Sequence, residues 1–125
     1  MLRADPSATH ILLVEDEDLL RELVMENLLD AGYRVVEASD GNAGLQVLQS
    51  EQRVDVLLSD IKLPDIDGYQ VAAAGSALRP GLKVILMTGY APSLPPALQP
   101  VVYRVLQKPF PLDSLPAVVA AAMHA

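Results

Sequence analysis

The sequence predicts an α/β domain, a doubly wound sheet of five parallel strands, on three observations. Short apolar runs alternate along the chain with longer stretches of helical period, and parallel neighbours need such crossover connections. The run Val54 to Asp60, VDVLLSD, has only Asp55 and Ser59 as polar members before it stops at Asp60, which is how a strand covered on both faces reads. Finally, successive strands end in polar residues, where open α/β sheets place their ligand crevice.

Taken in order, residues 1 to 9 are polar and without period and are expected to form a loose tail, with the domain over 10 to 125. Ile11 to Val14 is a first strand, ended by Glu15, Asp16, Glu17 and Asp18. Glu17 and Asp18 suit a helix amino terminus, where the dipole favours anions. Leu19, Leu20, Leu23, Val24, Leu28 and Leu29 recur at helical spacing. Gly32 follows as a natural C′ residue. Tyr33 to Ala38 is a strand, and Ser39 or Asp40 caps a helix to about Ser50. After the Val54 strand, Pro64, Asp65, Asp67 and Gly68 make a turn, and a helix runs to about Leu78. Lys83 to Met87 delivers Thr88 to a strand end, and roughly Val101 to Leu106 delivers Gln107-Lys108-Pro109-Phe110. The last helix starts near Asp113 or Ser114 and tolerates Pro116 in its first turn.

At 125 residues and 51% hydrophobic the chain is one domain with a single core. It has no cysteine, which excludes disulfides and thiolate metal sites. No apolar stretch is long enough to cross a membrane, and the amino terminus lacks the apolar core of a secretion signal. These features place the chain in the cytoplasm, with no membrane partner. The net charge of -7 repels phosphate backbones, so direct nucleic-acid binding is not expected.

Glu15-Asp16, Asp60, Thr88 and Lys108 all fall at the carboxyl ends of predicted strands and so along one edge of the sheet. Each alone is commonly a turn former, a filler or a solvated charge; together they are hard to attribute to chance. Carboxylates gathered there repel by about 4 kcal/mol per pair at 4 Å in an intermediate dielectric, so a cation must join them or a carboxyl must protonate. Oxygen ligands without His or Cys select a hard cation, and few protein ligands favour magnesium over calcium. Asp60 then reads as a nucleophile toward a phosphoryl group. Magnesium, the Thr88 hydroxyl and the Lys108 ammonium are placed to neutralise its three equatorial oxygens.

The motifs ILLVEDE, LLSDIKLPDIDG, LMTGYA and LQKPF resemble those of the receiver domain of two-component response regulators, over residues 10 to 124. The resemblance implies a flavodoxin-like (βα)5 fold and phosphorylation of Asp60 by a phosphohistidine on a histidine kinase or histidine phosphotransfer domain. It also implies slow self-catalysed hydrolysis rather than turnover of an outside substrate. Magnesium is expected on Asp16, Asp60 and the main-chain carbonyl of Lys62, with Glu15 acting through water. Lys108-Pro109 is expected to be a cis peptide. A chain ending near Ala125 leaves no effector domain, which is expected of a stand-alone receiver or of one excised from a larger hybrid kinase or regulator.

Three features depart from that family or qualify it. The aromatic residue usual three positions before the lysine is Val105 here, with Tyr103 two residues further back and, by strand alternation, on the same face. Tyr90 is the alternative mobile ring. Pro92, Pro95, Pro96 and Pro100 fall where the fourth helix belongs, so that helix should be missing or reduced to about one turn from Pro96 to Gln99. Lys62 is expected to be solvent-facing, with an influence on phosphoryl lifetime as the sharper reading. Two rival functions stay open: an interaction module of this shape that is never phosphorylated, and a small haloacid-dehalogenase-type phosphatase suggested by Asp65-Ile66-Asp67-Gly68.

Overall fold

The computed structural model describes residues 8–90 and 93–125. The expected tail falls largely on residues 1–7, outside the described residues, as does Pro92. Five strands, β1 (His10–Val14), β2 (Arg34–Ala38), β3 (Val56–Asp60), β4 (Lys83–Thr88) and β5 (Val102–Gln107), form one parallel sheet in the order β2-β1-β3-β4-β5. The winding reverses between β1 and β3. The carboxyl ends of these two strands flank the switch point where such sheets open a crevice.

Among the described residues three α-helices connect strands, α1 (Asp18–Asp30), α2 (Gly41–Gln49) and α3 (Gly68–Leu78), and a fourth, α4 (Leu115–Met123), follows β5. Strand alternation divides the core in two. Ile11, Leu13, Val56, Leu58, Ile85 and Met87 pack against Val24 and Leu28 of α1 and Leu115, Val118, Val119 and Ala122 of α4. Leu12, Val14, Leu57, Val84 and Leu86 pack against Leu48 of α2 and Val71 and Ala72 of α3. Every residue of β3 is buried, as its nearly unbroken apolar run requires.

Among the described residues, the span between β4 and β5 contains a single 3₁₀ turn, Pro96–Leu98, where a helix would complete the (βα)5 pattern. The expected shortening is therefore observed, and its cause is the missing donors of the prolines. Buried Leu98 covers the core there, helped by Leu94 and Val101. The Tyr69 hydroxyl on α3 donates to the Ser93 carbonyl at 2.9 Å and ties this segment down. A second 3₁₀ turn, Leu112–Ser114, leads into α4, whose first turn contains Pro116. The Lys108-Pro109 peptide is cis, as expected.

The face assigned to Tyr103 is corrected. Val84 pairs with Val102 but Ile85 pairs with Arg104, so Tyr103 is the extra residue of a β-bulge. The bulge resets the alternation: Val102 and Val105 pack against the same half of the core, while Tyr103 is 40% exposed. Val102, not Tyr103, shares the face of Val105.

Candidate functional site

The site forms where β1 and β3 end. Glu15 directly follows β1 and is fully buried, Asp60 closes β3 and is 7% exposed, and Asp16 is exposed. Carboxylate oxygens of the three lie within 4.8 Å of one another. Lys108, just after β5, donates from Nζ to Glu15 Oε1 and to Asp60 Oδ2, both at 2.8 Å. One ammonium thus neutralises part of a cluster that would otherwise repel itself.

Burial and these contacts together set the protonation of Glu15 and Lys108. Burial holds the Glu15 carboxyl above the usual carboxylate range, opposed by hydrogen bonds from Lys108 and from the Glu17 amide and reinforced by the Asp60 charge. Burial depresses Lys108, but the hydrogen bonds to Asp60 and Glu15 outweigh it and hold the ammonium above its ordinary value.

Local structure explains why the groups sit where they do. The Glu15 carboxylate accepts the Glu17 amide at 3.1 Å, and Arg21 reaches back from α1 to the Glu15 carbonyl at 2.9 Å while holding Asp18 and Glu37. At the end of β3, the Gly68 amide donates to the Ile61 carbonyl at 2.7 Å. A Cβ on Gly68 would collide with the Asp60 carbonyl and Ile61 Cα, so only glycine lets α3 start this close to Asp60. The loop between them lines a cleft of about 450 Å³ together with Asp16, Asp60, Gly89, Tyr90 and Lys108. Lys62 in that loop is exposed, and its amide makes a long 3.3 Å contact to Asp60 Oδ1.

Thr88 sits differently. It is buried, one residue beyond the β4 partner of Asp60, and its Oγ1 accepts the Tyr90 amide at 3.1 Å. Its carbonyl accepts the Lys108 amide at 2.7 Å. The structure therefore bonds Lys108 to Glu15 and Asp60, brings Asp16 within 4.8 Å of the two acids, and leaves the Thr88 hydroxyl accepting the Tyr90 amide of its own loop.

Sequence reasoning missed the roles of Asp65 and Gly68. Asp65 accepts the Gly41 and Asn42 amides at 2.8 and 2.7 Å, and Asp67 caps α3 in a reciprocal box with Gln70. The DxDG acids are thus engaged at two helix amino termini, α2 and α3. The Asp67-x-x-Gln70 spacing was a legible capping signal; the reach of Asp65 to α2 had none.

Fold and site together define a doubly wound α/β domain with an acidic, lysine-closed pocket at its switch point. The chain belongs to the response regulator receiver domain family, which it matches over residues 11–120. It is 36% identical to the response regulator receiver protein CpdR of Brucella abortus over 107 residues, 84% of this chain and 88% of that one. It is 39% identical to the transcriptional regulatory protein GlrR of Escherichia coli over 108 residues, covering 85% of this chain but spanning only 24% of that protein's length. Its structure is similar to a receiver domain from Methanospirillum hungatei, with a TM-score of 0.86 at 30% identity over 94% of this chain and 95% of that one. It is also similar to TrrA from Thermotoga maritima in complex with Mg(2+)-BeF, with a TM-score of 0.77 at 28% identity over 91% and 98%.

Proposed function

We propose that this receiver domain takes a phosphoryl group onto the Asp60 carboxylate from a phosphohistidine on a histidine kinase or histidine phosphotransfer domain. The observation that carries the assignment is the clustering of Glu15, Asp16 and Asp60 within 4.8 Å, with Lys108 bonded to two of them. An Asp60 oxygen forms the new P–O bond, the donor's P–N bond breaks, and the leaving imidazole is protonated by solvent. Hydrolysis later returns the carboxylate and releases inorganic phosphate.

The donor set suits a hard divalent cation: carboxylate oxygens only, two of them nearly buried. Asp16, Asp60 and the Lys62 carbonyl would hold magnesium, with Glu15 acting through water. Bound there, magnesium supplies positive charge against the phosphoryl oxygens. Lys108, released in part from Asp60, pairs with a second phosphoryl oxygen. Thr88 reaches a third by giving up the Tyr90 amide, which moves the exposed Tyr90 loop. The structural likeness to TrrA with Mg(2+)-BeF supports this reading. Lys62, exposed at the cleft, is placed to affect phosphoryl lifetime; an unchanged hydrolysis rate in Lys62→Ala would remove that role.

Acetyl phosphate with magnesium should add one phosphate to the intact mass, and Asp60→Ala should show no adduct. An unmodified wild-type protein under the same conditions, also unresponsive to beryllofluoride, would favour a pure interaction module. The phosphatase reading is disfavoured because Asp65 and Asp67 are bound to helix amides and the residue two after Asp60 is Lys62; no turnover of a free phosphomonoester is expected.

A further inference from the structure

We propose that Asp65 is a positioning residue for the cation site: by gripping the amino terminus of α2 it holds the Ile61–Asp67 loop with the Lys62 main chain turned toward Asp60. The inference rests on the magnesium assignment above and deepens it.

The loop is an arch. Its feet are closed by the Gly68 amide on the Ile61 carbonyl and fixed to the sheet by the Ile61 amide on the Met87 carbonyl at 2.9 Å. Its near side, Lys62, Leu63 and Pro64, lines the cleft with Asp16 and Asp60, and the Lys62 amide reaches Asp60 Oδ1 at 3.3 Å. A main-chain carbonyl is a useful ligand only when its peptide plane is held, because otherwise binding must first order the loop.

Asp65 supplies that restraint from three residues away. Its two oxygens take the Gly41 and Asn42 amides, first-turn donors that have no partner inside α2. The carboxylate also sits at the positive end of the helix dipole; desolvation alone would raise its pKa, but the Asn42 and Gly41 amides, together with those of Ile66 and Asp65 itself, outweigh it and hold the carboxyl below its ordinary value. Next to it, Ile66 seats directly on Gly41, where any Cβ would strike the Ile66 side chain. Leu63 and Ile66 both pack on the core. Swinging the Lys62–Pro64 backbone away from the cleft would therefore pull Asp65 off both amides.

A simple capping role for α2 makes a different prediction, because α2 has its own cap: Asp40 accepts the Ala43 amide at 2.7 Å. Asp40→Ala weakens the same helix end and leaves the arch tied.

The test is a magnesium titration followed by amide chemical shifts in wild type, Asp65→Ala, Asp65→Asn and Asp40→Ala. We expect Asp65→Ala to weaken magnesium about three- to tenfold, the loss of one or two ordinary hydrogen bonds. Asp65→Asn, which keeps one acceptor oxygen, should fall between, and Asp40→Ala should match wild type. The magnesium concentration for half-maximal labelling by acetyl phosphate should rise by the same factor, with the rate at saturating magnesium unchanged. Wild-type affinity in Asp65→Ala, or equal weakening in Asp40→Ala, overturns the inference and leaves the magnesium assignment standing. A wild-type protein whose Asp16 and Asp60 amides ignore magnesium overturns both.

Discussion

Lys108 is the residue that ties the acidic cluster together. Its ammonium is the one cation bonded to both Glu15 and Asp60 among the described residues. Removing one partner from such a pair leaves buried charge uncompensated. Lys108→Ala should cost about 2 kcal/mol in urea denaturation without metal, below the loss for a fully buried pair because the side chain is partly solvated. The same variant should bind magnesium more tightly, since a positive charge has left the cluster, and magnesium should therefore recover part of the lost stability. Asp60 and Lys108 were legible because strand ends announce themselves: an apolar run stops at a polar residue. The orientation of the Thr88 hydroxyl toward the Tyr90 amide was not, because side-chain rotation leaves no trace in the order of residues.

At the scale of elements, the junction of β3 with α3 is set by Gly68. Gly68→Ala drives a methyl into the Asp60 backbone and should destabilise the fold by about 2 kcal/mol, as overpacking against rigid backbone does. Calorimetry should show a lowered Tm, and magnesium binding should weaken with it. The second junction, Asp65 on α2, has a pH signature. Its carboxyl is held below the ordinary 3.8, so the folded form binds this proton less readily than the unfolded chain. The stabilisation is complete above 3.8 and fades as the pH falls through the depressed folded value. The stability gap between wild type and Asp65→Asn should therefore be open at neutral pH and close on acidification below 3.8, as measured by denaturant titration.

Helices and strands were readable from period and caps, and the prolines foretold the short turn at Pro96–Leu98. The bulge at Tyr103 was not readable. Counting by twos along a strand assumes unbroken pairing, and one unpaired residue reverses every later assignment. Nor could the contact from Asp65 to Gly41 be read, because it joins residues 24 positions apart through the close packing of two helices' amino termini.

For the whole molecule, the site and the fold are thermodynamically linked. A ligand that binds only the folded form stabilises it in proportion to the logarithm of its excess, about 2.7 kcal/mol at a hundredfold over Kd. Magnesium should raise the Tm progressively, chelation should reverse the rise, and Asp16→Asn should blunt it with little effect on the metal-free Tm, because Asp16 is exposed. A calcium response of equal size would point to a looser site than the magnesium site proposed.

The irregularity in β5 also matters beyond the question of which ring faces the core. This strand forms one margin of the sheet, and a straight, unpaired margin is a template on which other chains can add and polymerise. The extra residue at Tyr103 bends that template and breaks its spacing, and exposed Arg104 beside it brings charge to the same rim. A bulge of this kind discourages such addition, and straightening it by deleting Tyr103 would be expected to favour fibrous self-association.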